Sequence, residues 1–547
     1  MNEFTHSDYI RQLHFDLKAL SGDESTARRV LKLREEVLAL SMLDFSPAAA
    51  TLREGYSPAA GGRPPRNPIN MLRSIALMAL KGQNSFNKWV EELRDHPELH
   101  ALSGFDREKR SPGVGTFYDF CDRLLDGPFQ KKCPHTPAKR SSAFKGSRGA
   151  FRRNLKGEKE AAKKLASQGP QGDETPVLKA VSNAMEQLGS ALPRDLETRL
   201  NEILMKCAVV PSAQKGLLGP LKKLETAADG TLIESQALGR GKPLCSCEKE
   251  GLGKCSCDRS YSDPQATWGY SSHKEHYIFG HRLHAIVVPT MGVDLPIYLS
   301  RNHAKVVDSV MVPDALSRMT RMLQTHLPEA HLHNFIADAG YDARPLYEML
   351  LHLGARPFIP LHPRTKPLTS FKEIPLNEQG VPLCPGGLPM KYHGFNGRRQ
   401  KLVYHCPIKR LVKRSGKPVF IPYLEECPRG ALCEVLSKMG PLIALPVDED
   451  PRLFVPVARG SKKYVAAMKR RTSSERFFSQ YKGYGQMGRR PYRRGHLYEI
   501  MGMAHGLRAH GLAWVRKRYK KEMPTDMKSL LDTLVELRKE HEGVQRE

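Results

Sequence analysis

The sequence predicts an α/β protein in which a mixed sheet flanked by helices follows an all-α amino-terminal domain and contains a cysteine-rich insertion. Three observations support this. Apolar residues recur at helical spacing through residues 1–130. After Glu225, short runs rich in β-branched residues alternate with helical runs. Residues 362–445 are rich in proline, glycine and cysteine, which is typical of an insertion into a sheet domain.

The amino-terminal domain, residues 1–130, is predicted to be a compact group of helices. In PINMLRSIALMALKG the apolar positions form one stripe, namely Ile69, Leu72, Ile75, Ala76 and Ala79. Ser111-Pro112 precedes VGTFYDFCDRLL, a helix start in which serine caps and proline occupies the first turn. A DNA-reading helix-turn-helix and a plain helical bundle both fit this pattern.

Two segments connect this domain to the predicted sheet. Residues 131–171 lose apolar periodicity and accumulate lysine and arginine, so they are predicted to be a basic linker that follows a phosphate backbone or is simply solvated. Residues 172–224 return to helical spacing and form a helical connector.

The sheet is predicted in two parts. In residues 225–361, ADGTLIES, HRLHAIVVP, LPIYLS and NFIAD resemble strands, and helices are predicted around Val312–Leu323 and Leu346–Leu353. Residues 446–522 form the second part, and a carboxyl-terminal helix occupies 523–547.

The charge balance favours a polyanionic partner. The 547 residues include 86 Lys plus Arg against 58 Asp plus Glu, a formal charge of +28. DNA or RNA fits this balance, although a basic protein of another kind remains open. No stretch approaches the ~18 apolar residues of a membrane span, and the amino terminus lacks a secretory signal. We therefore expect a cytoplasmic, nucleoid-associated protein without a membrane partner, whose 11 cysteines are thiols or metal ligands.

Three carboxylates stand at positions suited to catalysis. Asp229 lies at a strand edge, Asp338 ends the strand NFIAD, and Glu475 lies early in a predicted helix. Strand ends are where α/β sheets expose catalytic groups, and carboxylates bind Mg²⁺ or Mn²⁺. Two such ions about 3.5–4 Å apart stabilise the attacking and leaving oxygens of an in-line displacement at phosphorus.

Each carboxylate also has a structural interpretation. Asp229 can make a turn with Gly230, and Asp338 or Asp342 can cap the following helix. Thr472-Ser-Ser-Glu475 has capping-box spacing, in which the glutamate bonds to backbone rather than metal.

A family resemblance favours catalysis. ADAGYDARPLYEMLLHLGARPFIP resembles the second-aspartate block of bacterial insertion-sequence transposases of the DDE type, and DGTLIES is similar to their first-aspartate block. Arg471, Glu475 and Lys482 reproduce most of a tyrosine-arginine-glutamate-lysine signature, with Met468 in place of the tyrosine. GGRPPRNPINMLRSIALMALKGQ and SPGVGTFYDF are similar to the amino-terminal domain of such enzymes, and the insertion sequence five and 1182 groups are the nearest in pattern.

This resemblance implies an RNase H-like core with Asp229, Asp338 and Glu475 as catalytic metal ligands. It implies metal-dependent cleavage of DNA at transposon ends and transfer of the 3′-hydroxyl to target DNA, with a dimer or larger oligomer assembling on DNA. Arg471 and Lys482 would contact DNA near the active site. Asp263, in the family-like segment SDPQATWGY, is an alternative to Asp229.

Cysteines and histidines suggest further metal sites. Cys245, Cys247, Cys255 and Cys257 form two C-x-C pairs that could bind structural Zn²⁺, and so could a second group made of Cys384, Cys406, Cys427 and Cys433. Exposed thiols are the alternative for the first group. His281-x-x-His284 argues against a histidine site, because residues three apart on a strand face opposite sides.

The carboxyl-terminal region predicts further DNA contacts. RRPYRR supplies Arg489, Arg490, Arg493 and Arg494, and RKRYKK follows at 516–521. Arginines grip phosphate and the interleaved tyrosines stack on bases, whereas a solvated charged helix is the alternative. Two rival functions remain at this point, a DNA nuclease with the same metal core and a catalytically inactive transposase-derived DNA-binding protein.

Overall fold

The computed structural model describes residues 5–56, 65–126, 175–247, 251, 259–272, 274–290, 292–363, 369–422, 427, 441–520 and 522–544. The predicted basic linker and the cysteines 255, 257 and 433 lie outside these residues. None of the helices in the described ranges combines the length and the apolar character needed to cross a membrane.

The region before the sheet is helical. Its helices are α1 His6–Leu20, α2 Glu24–Lys32, α3 Arg34–Met42, α4 Ala49–Arg53, α5 Pro68–Leu80, α6 Phe86–Asp95, α7 Pro97–Leu102, α8 Val114–Asp126, α9 Pro176–Gln187, α10 Leu196–Leu204 and α11 Val210–Gln214. In α5, Asn67 caps the first turn and Pro68 occupies the first helical position. The π-helical turn Met205–Val209 joins α10 to α11. The helices expected from apolar spacing therefore form.

The central sheet is mixed, as the sequence predicts. It contains β1 Leu224–Glu234, β4 Thr267–Ser271, β5 His276–Thr290, β6 Val293–His303, β7 Leu332–Ile336 and β8 Arg356–Phe358, while the short strands β2 Lys242–Pro243 and β3 Arg259–Ser260 pair separately. The main order is β4-β5-β1-β7-β8, with β6 also paired to β5. β1 is antiparallel to β5 and parallel to β7. Helices α12 Asp308–His326 and α13 Arg344–His352 connect the later strands.

The predicted insertion forms small β structures. They comprise β9 Ser370–Phe371, β10 Ile374–Pro375, β11 Lys391–Asn396, β12 Lys401–His405, β13 Lys409–Arg414, β14 Lys417–Pro422 and β15 Leu442–Pro446. β11, β12 and β15 make a three-stranded sheet with its own apolar cluster, which includes Leu402, Tyr404 and Leu445. This separate cluster sets the insertion apart from the main core.

Four helices complete the fold, namely α14 Lys462–Met468, α15 Thr472–Lys482, α16 Gly495–Arg518 and α17 Met527–Val544. α16 is buried along most of its length and contacts β6 on one side and the amino-terminal helices α3 and α5 on the other. α17 packs on α1. The helical domain and the sheet thus share one apolar core, and the mixed, helix-flanked sheet confirms the predicted fold class.

Candidate active site

Asp229 and Asp338 lie side by side on neighbouring strands, with Asp338 just after β7 as expected but Asp229 within β1 rather than at its edge. In the parallel pair of β1 and β7, Ala227 is opposite Ile336. Each aspartate lies two residues beyond its member of this pair, and neighbouring strands are about 4.8 Å apart. The strand register therefore brings together two residues that are far apart in sequence. Asp338 also caps a 3₁₀ turn, because its Oδ1 accepts a hydrogen bond of 2.8 Å from the Gly340 N–H.

Glu475 is in the first turn of α15, which packs against β1, β5 and β6. The predicted capping box does not form, because α15 begins after Arg471 without a side-chain cap. Instead, the Arg471 guanidinium lies 2.5 Å from Glu475 Oε1. The carboxylate is thus held by a cation rather than by backbone, and its negative charge acts on Asp229.

Lys482 ends the same helix and fixes it along β1. Its ammonium group donates a hydrogen bond to Thr231 Oγ1. Thr231 lies two residues after Asp229, so both side chains are on one face of β1. Glu475 and Lys482 are separated by seven residues, about 10 Å along a helix. The helix therefore places the Glu475 carboxylate near the aspartates and the Lys482 ammonium group further along the same strand.

Asp308, at the start of α12, is a fourth carboxylate that sequence reasoning missed. Its Oδ2 lies 2.7 Å from Arg282 Nη1 on β5, and its buried Oδ1 has no hydrogen-bond partner in the described structure. A Cβ added to Gly230 would lie 1.6 Å from that Oδ1. Only glycine fits after Asp229 here, a contact that no local sequence signal reveals.

Burial and the clustered negative charges raise the pKa of Asp229 to about 7. Burial is the largest cause, and the negative charge of Asp308 is the next. Asp338 and Glu475 raise the pKa further, whereas the hydrogen bond from the Gly230 N–H opposes the rise. Burial also raises the pKa of Asp308, against the lowering effect of Arg282. A cation bound nearby would stabilise the ionised form of this carboxylate.

The aspartates therefore suit a hard divalent cation, which prefers oxygen ligands. Within the described ranges, no three Asp, Glu, His or Cys side chains are already arranged as a metal-binding group. The Glu475 carboxylate is paired with Arg471 in this structure.

Asp263, the alternative to Asp229, has a different environment. Its Oδ2 lies 2.6 Å from Nε2 of the buried His281. His281 is four residues along β5 from Ala285, which pairs with Asp229, a separation of about 13 Å. Asp263 belongs to a buried polar network that includes Arg301, whose Nη1 lies 3.2 Å from His281 Nδ1.

The two histidines of His281-x-x-His284 do not share a site. Both are on β5, as expected, but His284 Nε2 lies 2.8 Å from the Tyr341 hydroxyl rather than from Asp263. Burial lowers the pKa of His284 to about 3, so it is neutral.

For the second predicted zinc site, Cys384, Cys406 and Cys427 are described, and these three make no metal-binding group among the described residues. Cys384 packs in the apolar cluster of the insertion, since cysteine is small and apolar enough to be buried in a core. Cys433 lies outside the described residues, so this site stays a prediction. For the first site, only Cys245 and Cys247 are described, and it stays a prediction.

The predicted DNA-contacting arginines differ in their partners. Arg494 Nη1 lies 2.9 Å from Asp122 on α8, and Arg490 Nε lies 3.0 Å from Glu234 on β1. Arg489 donates to Gln486 over 3.2 Å, and the Arg493 carbonyl accepts from Ser235. At least Arg494 and Arg490 therefore join parts of the fold. Met468, at the position of the signature tyrosine, packs against the cluster that contains Ala227 and Ile336.

A helix-flanked mixed sheet with two aspartates side by side on neighbouring strands and a glutamate on a helix that packs against β1 defines an RNase H-like fold. Comparison with protein families agrees. The model described as Transposase DDE domain matches residues 221–506, and that described as Transposase domain (DUF772) matches residues 29–123.

The chain therefore belongs to the DDE transposase family, and the predicted resemblance is confirmed. The family acts on DNA and uses divalent metal ions. The matched region contains all three proposed catalytic carboxylates. No curated protein matches the chain significantly, and the assignment to a particular insertion-sequence group stays a prediction.

Proposed function

We propose that Asp229, Asp338 and Glu475 hold two Mg²⁺ or Mn²⁺ ions, and that the protein cleaves transposon ends and joins them to target DNA. The observation that carries this proposal is the placement of the two aspartates on adjacent parallel strands beside the helix of Glu475. When bound, the ions would activate the attacking oxygen and stabilise the leaving oxygen.

The chain's own residues have distinct tasks in this proposal. Asp229 and Asp338 would provide two ligands from neighbouring strands, and Glu475 would complete the set. Arg471 holds the Glu475 carboxylate in this structure. Its guanidinium would also suit a DNA phosphate, which it can grip through two hydrogen bonds.

The test uses Asp338→Asn, which removes one charge with little change in shape. We expect cleavage of end DNA with Mg²⁺ to fall about 100- to 1,000-fold, because loss of a central electrostatic group typically costs about 10²–10³ in rate. DNA binding should stay unchanged. Asp448→Asn, at an exposed position just after the insertion, is the matched control and should cleave normally. Normal cleavage by Asp338→Asn would contradict the assignment.

Joining is tested separately with pre-cut ends and a target plasmid. Joined products establish strand transfer, whereas cleavage without joining would identify a nuclease. Size measurement on and off DNA tests the proposed dimer or larger assembly, and a monomer on paired ends would exclude it.

A further inference from the structure

A cleft of about 270 Å³ opens next to the carboxylates. Its floor is β1, from Gly230 to Glu234, immediately after Asp229. Its walls come from the turn between β4 and β5, from β5 itself, and from the end of α15. Thr231 is about 7 Å along the strand from Asp229, so a group bound here would be close to the reacting phosphate.

Three cations surround the cleft, each from a different element. Lys274 is in the β4–β5 turn, Arg282 is on β5 and Lys482 is on α15. Burial lowers the pKa of Lys482, and the positive charge of Lys274 lowers it further, while Asp229 opposes this effect. The cations thus repel one another within one space, an arrangement that a bound anion would stabilise.

The three cations differ in how far they are neutralised. Arg282 is paired with Asp308, and Lys482 donates to the Thr231 hydroxyl. Lys274 is exposed and forms no ion pair with a carboxylate of the described chain. Glu234, the acid of the cleft, is engaged by Arg490. The cleft therefore has a positive side that faces solvent at Lys274.

The rim adds groups that suit a phosphodiester. Ser271 and Ser272 line the wall beside Lys274 and provide hydroxyl donors. Tyr270 is 43 % exposed, with its ring centroid 5.1 Å from that of Tyr277. Phosphate contacts from lysine and serine position DNA without reading its sequence.

We propose that Lys274, in the β4–β5 turn, holds a backbone phosphate of the DNA strand in this cleft near the scissile bond, as a further contact beside Lys482, which the family resemblance already assigns to DNA. The proposal rests on the DNA-cleaving function proposed above and extends its binding surface to the β4–β5 turn. Inorganic phosphate shares this chemistry, so the experiment must separate the two sources.

The experiment measures end-DNA binding by fluorescence anisotropy in EDTA, where the metal-binding carboxylates are not required. One phosphate contact contributes about 0.9 to the slope of log K against log salt. Lys274→Ala should therefore lower the slope by about 0.9 and weaken binding about 5-fold at 0.15 M salt and about 15-fold at 0.05 M. Lys528→Ala, at an exposed position of α17, should change neither, and Lys274→Arg should restore most of the affinity.

Single neutral methylphosphonates then locate the phosphate. A methylphosphonate at one position near the scissile bond should weaken DNA binding by the wild-type protein. It should not weaken binding by Lys274→Ala, because that variant has already lost the phosphate contact. Wild-type affinity and slope in Lys274→Ala would overturn the proposal. The proposal would also be overturned if inorganic phosphate stabilised the protein only when Lys274 is present while DNA binding did not depend on Lys274. That result would assign the cleft to free phosphate. Asp338→Asn should bind DNA normally without cleaving it. The binding result for Lys274→Ala is therefore independent of the catalytic test.

Discussion

The affinity for a divalent metal should depend steeply on pH because Asp229 has to lose its proton to become a ligand. Its pKa of about 7 means that the ionised fraction is about 1 % at pH 5 and about 90 % at pH 8. The apparent dissociation constant for Mn²⁺ should therefore fall about 90-fold between pH 5 and pH 8, or about 2.7 kcal/mol. An aspartate with the ordinary value of 3.8 would give a change of only about 1.1-fold.

Titration calorimetry in buffers of different ionisation enthalpy measures both the affinity and the released proton. Binding at pH 6 should release about 0.9 proton from Asp229. Asp308→Asn should move the midpoint to lower pH, because it removes the charge with the largest effect on that pKa. A dissociation constant that is flat from pH 5 to pH 8 would refute the reasoning, as would an unchanged midpoint in Asp308→Asn.

The same shift predicts how the metal-free fold responds to pH. Because the folded pKa of Asp229 is above its unfolded value, the folded chain binds this proton more tightly. The resulting stability is fully present below about pH 3.8 and is lost as pH rises through about 7. Mn²⁺ should therefore raise the melting temperature more at pH 8 than at pH 6.

Two further substitutions test the packing around the site. Gly230→Ala should destabilise the fold by about 1–3 kcal/mol and reduce cleavage, because its Cβ would meet Asp308 Oδ1. Urea unfolding of the double variant with Asp308→Ala should show less than the sum of the two losses, and full additivity would contradict the contact. Arg452→Ala should cost about 3–5 kcal/mol, since it leaves the fully buried Asp342 carboxylate without its guanidinium. Arg344→Ala, from an exposed pair with Glu348, should cost less than about 0.5 kcal/mol in the same urea assay.

The strands and helices of the core were predictable because their apolar spacing is local. ADGTLIES and NFIAD supply β1 and β7, and Asp338 follows from its position after a strand, whereas Asp229 lies inside β1 rather than at its edge. The register that pairs Ala227 with Ile336 was not predictable, because it depends on contacts between segments about 100 residues apart. The family resemblance, rather than residue spacing, assigned these aspartates and Glu475 to one catalytic site.

Contacts between distant segments are what the sequence does not reveal. Asp308 was not singled out, because its role depends on the sheet that places Arg282 and Gly230 against it. Arg494 belongs to a basic run that suggests DNA, and its guanidinium also pairs with Asp122 of the helical domain. A charge run in the sequence does not distinguish a free cation from one that is paired within the fold.

Burial and the surrounding negative charges explain why Asp229 retains its proton to higher pH. Of the four clustered carboxylates, Asp308 is paired with Arg282 and Glu475 with Arg471. Asp229 and Asp338 have no ion-pair partner in the described part of the chain, and they lie side by side on neighbouring strands. Burial has the largest effect on the pKa of Asp229 and the charge of Asp308 the next, while Asp338 and Glu475 add to the rise. That proton occupies the position in which a divalent ion would bring the largest electrostatic gain, since the ion would neutralise both charges at once.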